Sequence, residues 1–494
     1  MKTFIHAFMA LCAGLILSAC GGGGGGGGGS STSGAGSDTG TTPPPAPTAQ
    51  AAISASAASV SAGQGVTLTW SSQNSGAGNC QASGAWTGQV ATSGSQQVVT
   101  TASNTAYTAT YTITCGAAVA NVAVNVTPPS VQNAMQIVVD DGPPAAGGAI
   151  NIPFVSVTVC RPGTSVCQTI DHVMVDSGSY GLRLIAPLDS ALSLPAVKTA
   201  AGATVAECGQ FVSGYTWGSV LQADIKLAGE VAIGQSIQVI SDTSGGIGAA
   251  PGSCSGIGSN LGTAATLGAN GVLGIGLFKQ DCGPACVNTA VSATYYACSN
   301  GSCTPTPMPL AQQVSNPVAA FARDNNGVSI SFPTVGTGGS GPLTGTLTFG
   351  IGTQSNNGLG GATRYAANSS GHIRTVYKGT TLTGSFIDSG SNGTFFNDST
   401  LAKCSRSKDF YCPSSPLSLS ATITAYDGSA TATIPFTIES VDALPDSAVA
   451  GWIGGPSGSS QSNSNAFDWG LPFFFGRKVF IGLESDTASP YWAF

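Results

Sequence analysis

From residue 51 to 127 apolar and polar positions alternate. Val66, Leu68 and Trp70 share one face; Tyr107, Ala109, Tyr111, Ile113 and Cys115 form a second such run, and Val122, Val124 and Val126 a third. A period of two marks strands with one buried face, so the pattern predicts a small β-sandwich over 51–128, closed by the boundary Thr127-Pro128-Pro129. Beyond it, short β-type runs broken by Gly, Asn and Pro continue to residue 494. The exception is Pro309 to Arg323, where Leu310, Val314, Val318 and Phe321 predict one or two helices. Residues 20–50 carry no apolar period. Their Gly, Ser, Thr and Pro, including Pro43-Pro44-Pro45, describe a flexible and then stiffer tether.

The first residues have a different character. Lys2, an apolar run from Phe4 to Leu17 and the closing Leu17-Ser18-Ala19-Cys20 have the form of a secretory signal peptide over 1–19. The last four residues resemble a bacterial lipobox, which implies a lipidated Cys20 as first mature residue and a membrane partner reached through the lipid. About 14 apolar residues are short for a membrane span of roughly 20, and no basic flank follows. Gly21 after the cysteine resembles outer-membrane sorting, so the expected address is the bacterial cell envelope, facing the periplasm or the surface.

Composition sharpens this picture. With 494 residues, several domains are expected. Fifteen Lys and Arg against 22 Asp and Glu give a net charge of −7, which excludes a run of phosphate contacts and hence nucleic acid as a partner. Charged residues are only 7% of the chain while Gly numbers 70, a balance suited to exposed sheet and loop and unsuited to long salt-bridged helices. Of 14 cysteines, Cys12 falls in the signal and Cys20 in the lipid site. The other twelve are expected as disulfides in an oxidising compartment: Cys160/Cys167, Cys282/Cys286, Cys298/Cys303 and Cys404/Cys412 as local loops, with Cys80/Cys115 and Cys208/Cys254 remaining. Paired Cys-x-x-Cys and neighbouring histidines are missing from the sequence, so neither a metal nor another cofactor is expected. His172 and His372, outside the signal, read as surface or satisfied histidines.

One frame is written twice. His172-Val173-Met174-Val175-Asp176-Ser177-Gly178-Ser179-Tyr180-Gly181-Leu182 is echoed by Gly384-Ser385-Phe386-Ile387-Asp388-Ser389-Gly390-Ser391-Asn392-Gly393-Thr394. Each is an apolar strand running into a tight turn of small residues, whose hydroxyls can bond the loop and whose glycines admit a close neighbour. Asp38-Thr39-Gly40 repeats the tripeptide alone, in the tether and without a strand before it, and is set aside.

The duplicated frame resembles the pepsin-like aspartic proteases, two-lobed β enzymes in which each lobe supplies one such loop. Further segments agree in order. Phe154 to Val159 resembles the paired N-lobe strands, and Tyr215-Thr216-Trp217-Gly218-Ser219 the flap. Gly271-Val272-Leu273-Gly274-Ile275-Gly276 resembles the element that supports the first aspartate. Gly345 to Gly350 resembles the strand that opens the second lobe, and Gly470-Leu471-Pro472-Phe473-Phe474-Phe475-Gly476 stands in the place of the second support. The chain is also similar to a family of bacterial secreted proteins known as DUF3443. An N-lobe over 129–330 and a C-lobe over 331–494 are thus implied, behind a sandwich whose Trp70 and Cys80/Cys115 resemble an immunoglobulin-like domain. Trp70 precedes both cysteines, unlike the antibody order Cys, Trp, Cys. Two further departures stand out: Arg183 sits where the family has an aromatic partner for the flap tyrosine, with Trp217 a candidate substitute, and Leu471-Pro472 where it has Leu-Gly-Asp.

The resemblance implies catalytic Asp176 and Asp388, supported by Ser177, Gly178, Ser179, Ser389, Gly390 and Ser391. Tyr215 and Gly218 are implied as the substrate-binding flap, and a peptide or protein as substrate. Chemically, peptide hydrolysis without a covalent intermediate needs a base for water and an acid for the carbonyl oxygen and the amine, which two carboxylates sharing a proton supply. A serine hydrolase is disfavoured, because no Gly-x-Ser-x-Gly elbow lies near an apolar strand. Two alternatives stay open: turn-capping aspartates without chemistry, and a non-catalytic binding module that holds a peptide between the lobes. Cys20→Ala is expected to release the protein from the membrane fraction; retention there, with no lipid on the wild type by mass spectrometry, overturns the address.

Overall fold

The structure, a computed structural model, describes residues 47–494 apart from 77, 102, 104, 105, 128–131, 446, 458–464 and 486. The signal segment, Cys20, most of the tether and the Pro128-Pro129 boundary lie outside the described residues. The chain divides into two compact units between Val131 and Gln132.

The N-terminal unit follows from its alternation. Gln50–Ala55, Gly65–Gln73 and Ser93–Val99 form one sheet; Ser59–Ser61, Ala118–Thr127, Tyr107–Cys115, Cys80–Gly84 and Gly88–Val90 form the other. Val66, Leu68 and Trp70 pack with Tyr111, Ile113 and Val124 in one core, where Trp70 meets Trp86 edge to face at 5.1 Å. The Cys80–Cys115 bridge joins two adjacent strands paired at Gln81↔Thr114. It staples one sheet, whereas an immunoglobulin bridge crosses between two.

Residues 132–494 are all-β and two-lobed, as the sequence predicts. One 16-stranded sheet runs through both lobes and a seven-stranded sheet completes the second. The join is a single strand, Ala134–Val139. It pairs on one edge with Pro153–Cys160 of the N-lobe and on the other with Leu343–Phe349 of the C-lobe. The last strand, Tyr491–Ala493, pairs with Lys478–Gly482 and Arg364–Ala366, so the C-terminus is also woven into the sheet. A continuous apolar core runs from Val155 and Val175 to Ile387, Phe467 and Trp469.

Two segments differ from expectation. Gly327–Ser331 crosses the expected lobe limit at 330, yet it pairs only with Leu343–Phe349 and Lys478–Gly482, so the C-lobe begins ahead of it. Pro309 to Arg323 forms two short 3-10 turns, Leu310–Gln312 and Pro317–Ala320; Pro317, which has no amide hydrogen to give, starts the second.

All six expected disulfides are present. Cys160–Cys167 closes a hairpin at directly paired positions, and Cys298–Cys303 does the same. Cys282–Cys286 closes the expected short loop. It spans a 3-10 turn, Gly283–Cys286, started through Pro284, and Cys286 is fully buried in a small apolar cluster with Val205, Val220, Tyr295, Met308 and Val314. The Cys286 carbonyl accepts the Met308 amide at 2.7 Å, so this bridge anchors the turn into the N-lobe core, and Cys286 is a core residue with no place in the cleft. Cys80→Ser is expected to destabilise the N-terminal unit by about 2–5 kcal/mol and leave the transition of the C-terminal unit in place, as read by scanning calorimetry. Simultaneous loss of both transitions overturns the division at residue 131.

Candidate active site

Asp176 ends the strand Cys167–Asp176, and the chain returns as Tyr180–Ile185. Between them slides Gly271–Ile275, parallel to the first and antiparallel to the second, with Gly274 beside Asp176. The C-lobe repeats the arrangement. Thr380–Ile387 leads to Asp388, the chain returns at Thr394–Phe395, and Asp468–Trp469 lies between, parallel to the first and antiparallel to the second. Each turn thus rests on an inserted strand. The Gly276 amide donates to the Ser179 carbonyl at 2.9 Å, and the Leu471 amide to the Ser391 carbonyl at 2.7 Å.

The two turns grip one another. The Ser177 amide donates to Ser389 Oγ at 3.0 Å, and the Ser389 amide to Ser177 Oγ at 2.8 Å. Each hydroxyl donates onward to the strand of the opposite lobe, Ser177 to the Ile387 carbonyl at 3.2 Å and Ser389 to the Val175 carbonyl at 2.8 Å. Four hydrogen bonds between buried groups fix one loop against the other, because breaking any of them strands a desolvated donor or acceptor.

This brings the carboxyl groups together. A Cβ on Gly178 would lie 2.8 Å from the Asp388 carboxyl carbon, and one on Gly390 2.8 Å from Asp176 Oδ1, so only glycine fits at either position. Gly178 and Gly390 donate their amides to Oδ1 of their own aspartates, each at 2.8 Å. Ser179 Oγ reaches Asp176 Oδ2 at 2.5 Å, and Ser391 Oγ reaches Asp388 Oδ2 at 2.9 Å. Desolvation, then the charge of Asp176, then that of Asp468, push Asp388 well above the usual carboxylate range, and it shares a hydrogen bond with Asp176. A proton on Asp388 is therefore held more tightly than on an isolated carboxyl group.

A cavity of about 240 Å³ opens above the two aspartates, reached by Tyr180, Phe211 and Val212 from the N-lobe and by Ser370, His372 and Phe386 from the C-lobe. Burial, then Asp176 and Asp388, hold the Tyr180 phenol protonated. Half-buried His372 lines this cleft, and desolvation lowers its pKa; no motif in the sequence distinguishes it. His172 lies elsewhere, 3.4 Å from carboxylate oxygens of both Asp140 and Asp171.

The flap differs from its sequence reading. Thr204–Phe211 and Gly214–Leu227 form the hairpin, and its tip, Phe211 and Val212, reaches the cleft. Tyr215 is buried with Cys208, Trp217, Cys254 and Tyr296 instead. Alternation places Tyr215 and Trp217 on the face that packs over the Cys208–Cys254 bridge, which turns both rings away from the aspartates. Gly218 sits against the Val239 carbonyl, where it permits close pairing with the next strand. Phe211 faces the other way, with the Arg183 guanidinium 5.9 Å from its ring centre. Arg183 is buried, donates to the Tyr180 carbonyl at 2.8 Å and pairs with Glu207 of the hairpin and with Asp281. This arginine stands where an aromatic is expected and holds the hairpin by charge and ring contact; its partners, scattered along the chain, leave no motif to read.

The second support also moves. The inserted strand is Asp468–Trp469, ahead of the expected Gly470–Gly476, of which Leu471–Phe474 is a 3-10 turn begun through Pro472. Gly470 keeps the position beside Asp388 that Gly274 holds beside Asp176. Asp468 occupies the place of Val272, and burial pushes its pKa up to about 8. Elsewhere, Cys404, Cys412 and Asp442 lie close together, but the two cysteines are bridged to each other and have no thiolate for a metal.

Residues 129–494 match the family described as "Protein of unknown function (DUF3443)", and the chain belongs to that family. Among solved structures it is similar to an aspartic proteinase from Irpex lacteus, at 18% identity and a TM-score of 0.41, over 73% of this chain and 96% of that one. No curated protein matches.

Asp468 gives this site a pH dependence with a defined sign. Its folded pKa is raised, so the stability it contributes is fully present below about pH 3.8 and is lost as pH rises through about 8. Asp468→Asn is expected to make the protein more stable than wild type above about pH 8 and no more stable near pH 4, as read by urea denaturation across that range. Equal pH profiles for the two proteins overturn the assignment.

Proposed function

We propose that this family member is an aspartic-type endopeptidase of the bacterial cell envelope, cleaving extended peptides with a water held between Asp176 and Asp388. The supporting observation is the reciprocal Ser177–Ser389 grip, which sets two carboxyl groups from two lobes against each other on the floor of a cleft. Turn-capping alone does not require the loops to meet.

The chemistry follows from the proton count. The ionised carboxylate takes a proton from the bound water as the oxygen attacks the peptide carbon, while the protonated partner gives its proton to the carbonyl oxygen. The resulting tetrahedral diol collapses as its C–N bond breaks: the carboxyl that took the water's proton gives it to the leaving amine, the other carboxylate takes the proton of a diol hydroxyl, and the dyad returns to one proton. Ser179 and Ser391 hold the outer carboxylate oxygens and so orient the inner ones toward the water. A substrate lying as a strand beneath Phe211 and Val212 would pair its backbone with the hairpin tip, which leaves side-chain pockets to set preference. Six disulfides support an oxidising compartment, and a lipid on Cys20 is part of the same proposal.

Asp176→Asn and Asp388→Asn are each expected to abolish cleavage of denatured casein and of a peptide library between about pH 3 and pH 7, with the fold intact by circular dichroism. The double variant should be no worse than either, because the two residues act as one unit. A peptide that binds the cleft uncleaved, and binds both Asn variants equally well, establishes a non-catalytic binding module instead.

A further inference from the structure

The two aspartate turns match in backbone and in their glycines, but on the inserted strand behind them one buried position is apolar in one lobe and acidic in the other. On the inserted strand of the N-lobe, Val272 pairs with Met174; at the same place in the C-lobe, Asp468 pairs with Phe386. Ser179 Oγ therefore meets a single carboxylate, Asp176. Ser391 Oγ meets two: Asp388 Oδ2 at 2.9 Å and Asp468 Oδ2 at 2.6 Å. A serine hydroxyl has one proton to give. Both contacts are hydrogen bonds only when one of the two carboxyl groups is protonated and donates to Ser391 Oγ, leaving the serine proton for the other. The remaining oxygen, Asp468 Oδ1, is buried without a partner, so a negative charge there has no donor to receive it.

We propose that Asp468 is a positioning residue that stores a proton behind the dyad and keeps Asp388 protonated to higher pH than two carboxyl groups could alone, through the Ser391 hydroxyl. The transfer balances. The Asp468 proton moves to Ser391 Oγ as the Ser391 proton moves to Asp388 Oδ2, leaving an Asp468 carboxylate and an Asp388 acid. The carboxylate then left on Asp468 adds its negative field to that of Asp176, and both oppose ionisation of Asp388. Few other groups compete. The strands flanking Asp468, Thr380–Ile387 and Thr394–Phe395, carry no titratable side chain, and Phe386 and Phe395 stand opposite it. Asp176 acts on it across the row, and Tyr180 faces the dyad from the N-lobe.

The proposal rests on the peptidase reading only for its effect on cleavage, so the test has an arm independent of turnover. The protonated-carboxyl band of Asp388, isolated as the infrared difference between wild type and Asp388→Asn, is titrated against pH. The same difference is then taken in Asp468→Asn and Asp468→Val backgrounds, Val being the N-lobe residue. In both backgrounds the band is expected to disappear about one pH unit lower, a tenfold change in proton affinity. Retained disulfides and circular dichroism show that each background is folded. An unchanged midpoint in the folded Asn background overturns the proposal, as does an Asp468 that already lacks its own protonated band at pH 6. If peptides are cleaved, the alkaline limb of kcat/KM should move down by the same unit. A protein that cleaves nothing yet shows the infrared shift refutes the peptidase reading and upholds this one.

Discussion

Everything at the cleft depends on the exchange of hydrogen bonds between Ser177 and Ser389. Neither hydroxyl caps its own turn, as serine commonly does. Each satisfies the backbone amide of the other lobe and is itself satisfied by a carbonyl there. The cost of an unpaired buried amide, about 1–3 kcal/mol, thus becomes a restraint on how the lobes can stand relative to one another. The carboxyl groups are held in contact despite their mutual repulsion because this restraint lies directly beneath them.

The grip also explains why the surrounding loops can be asymmetric. Once serines and glycines have fixed the backbone, the positions behind it are free to diverge. The N-lobe places an apolar Val272 behind its turn and a buried arginine, Arg183, beside its flap. The C-lobe places an acid behind its turn and aromatic rings around it, where Phe467 and Trp469 lie 4.4 Å apart. Two lobes of one design thus give their aspartates different surroundings.

Much of this is legible in the sequence, for an identifiable reason. The strand runs, the sandwich, the duplicated frame and the disulfide pairs are local patterns, written within about a dozen residues or by simple elimination among cysteines. Sequence and structure part where faces have to be assigned. Tyr215 lies on the expected hairpin, but a one-residue difference in strand phase decides whether it sees the cleft or the Cys208–Cys254 bridge. The spacing of Cys282 and Cys286 reveals their bridge, yet the burial of Cys286 depends on Val205, Val220 and Val314, none of them a neighbour in sequence. Asp468 escapes notice because the visible pattern is Gly470 and the phenylalanines after it, while the strand ends one residue earlier. Arg183 stands out as a departure, but Glu207 and Asp281, which hold it, are distant in sequence and belong to no recognised pattern.

The strand Ala134–Val139 carries a consequence for how the protein comes into being. It is the first element of its unit to be synthesised, yet it pairs along its length with Leu343–Phe349, which is made far later, and the final strand beside the C-terminus is needed to finish the same sheet. Contacts so distant along the chain fold slowly, since a large loop must close before any of them forms. A nascent N-lobe therefore waits with an open edge, a surface that invites pairing with other chains. The early hairpin bridge at Cys160–Cys167 is within reach at that stage and can hold the neighbouring strands in register until the C-lobe arrives.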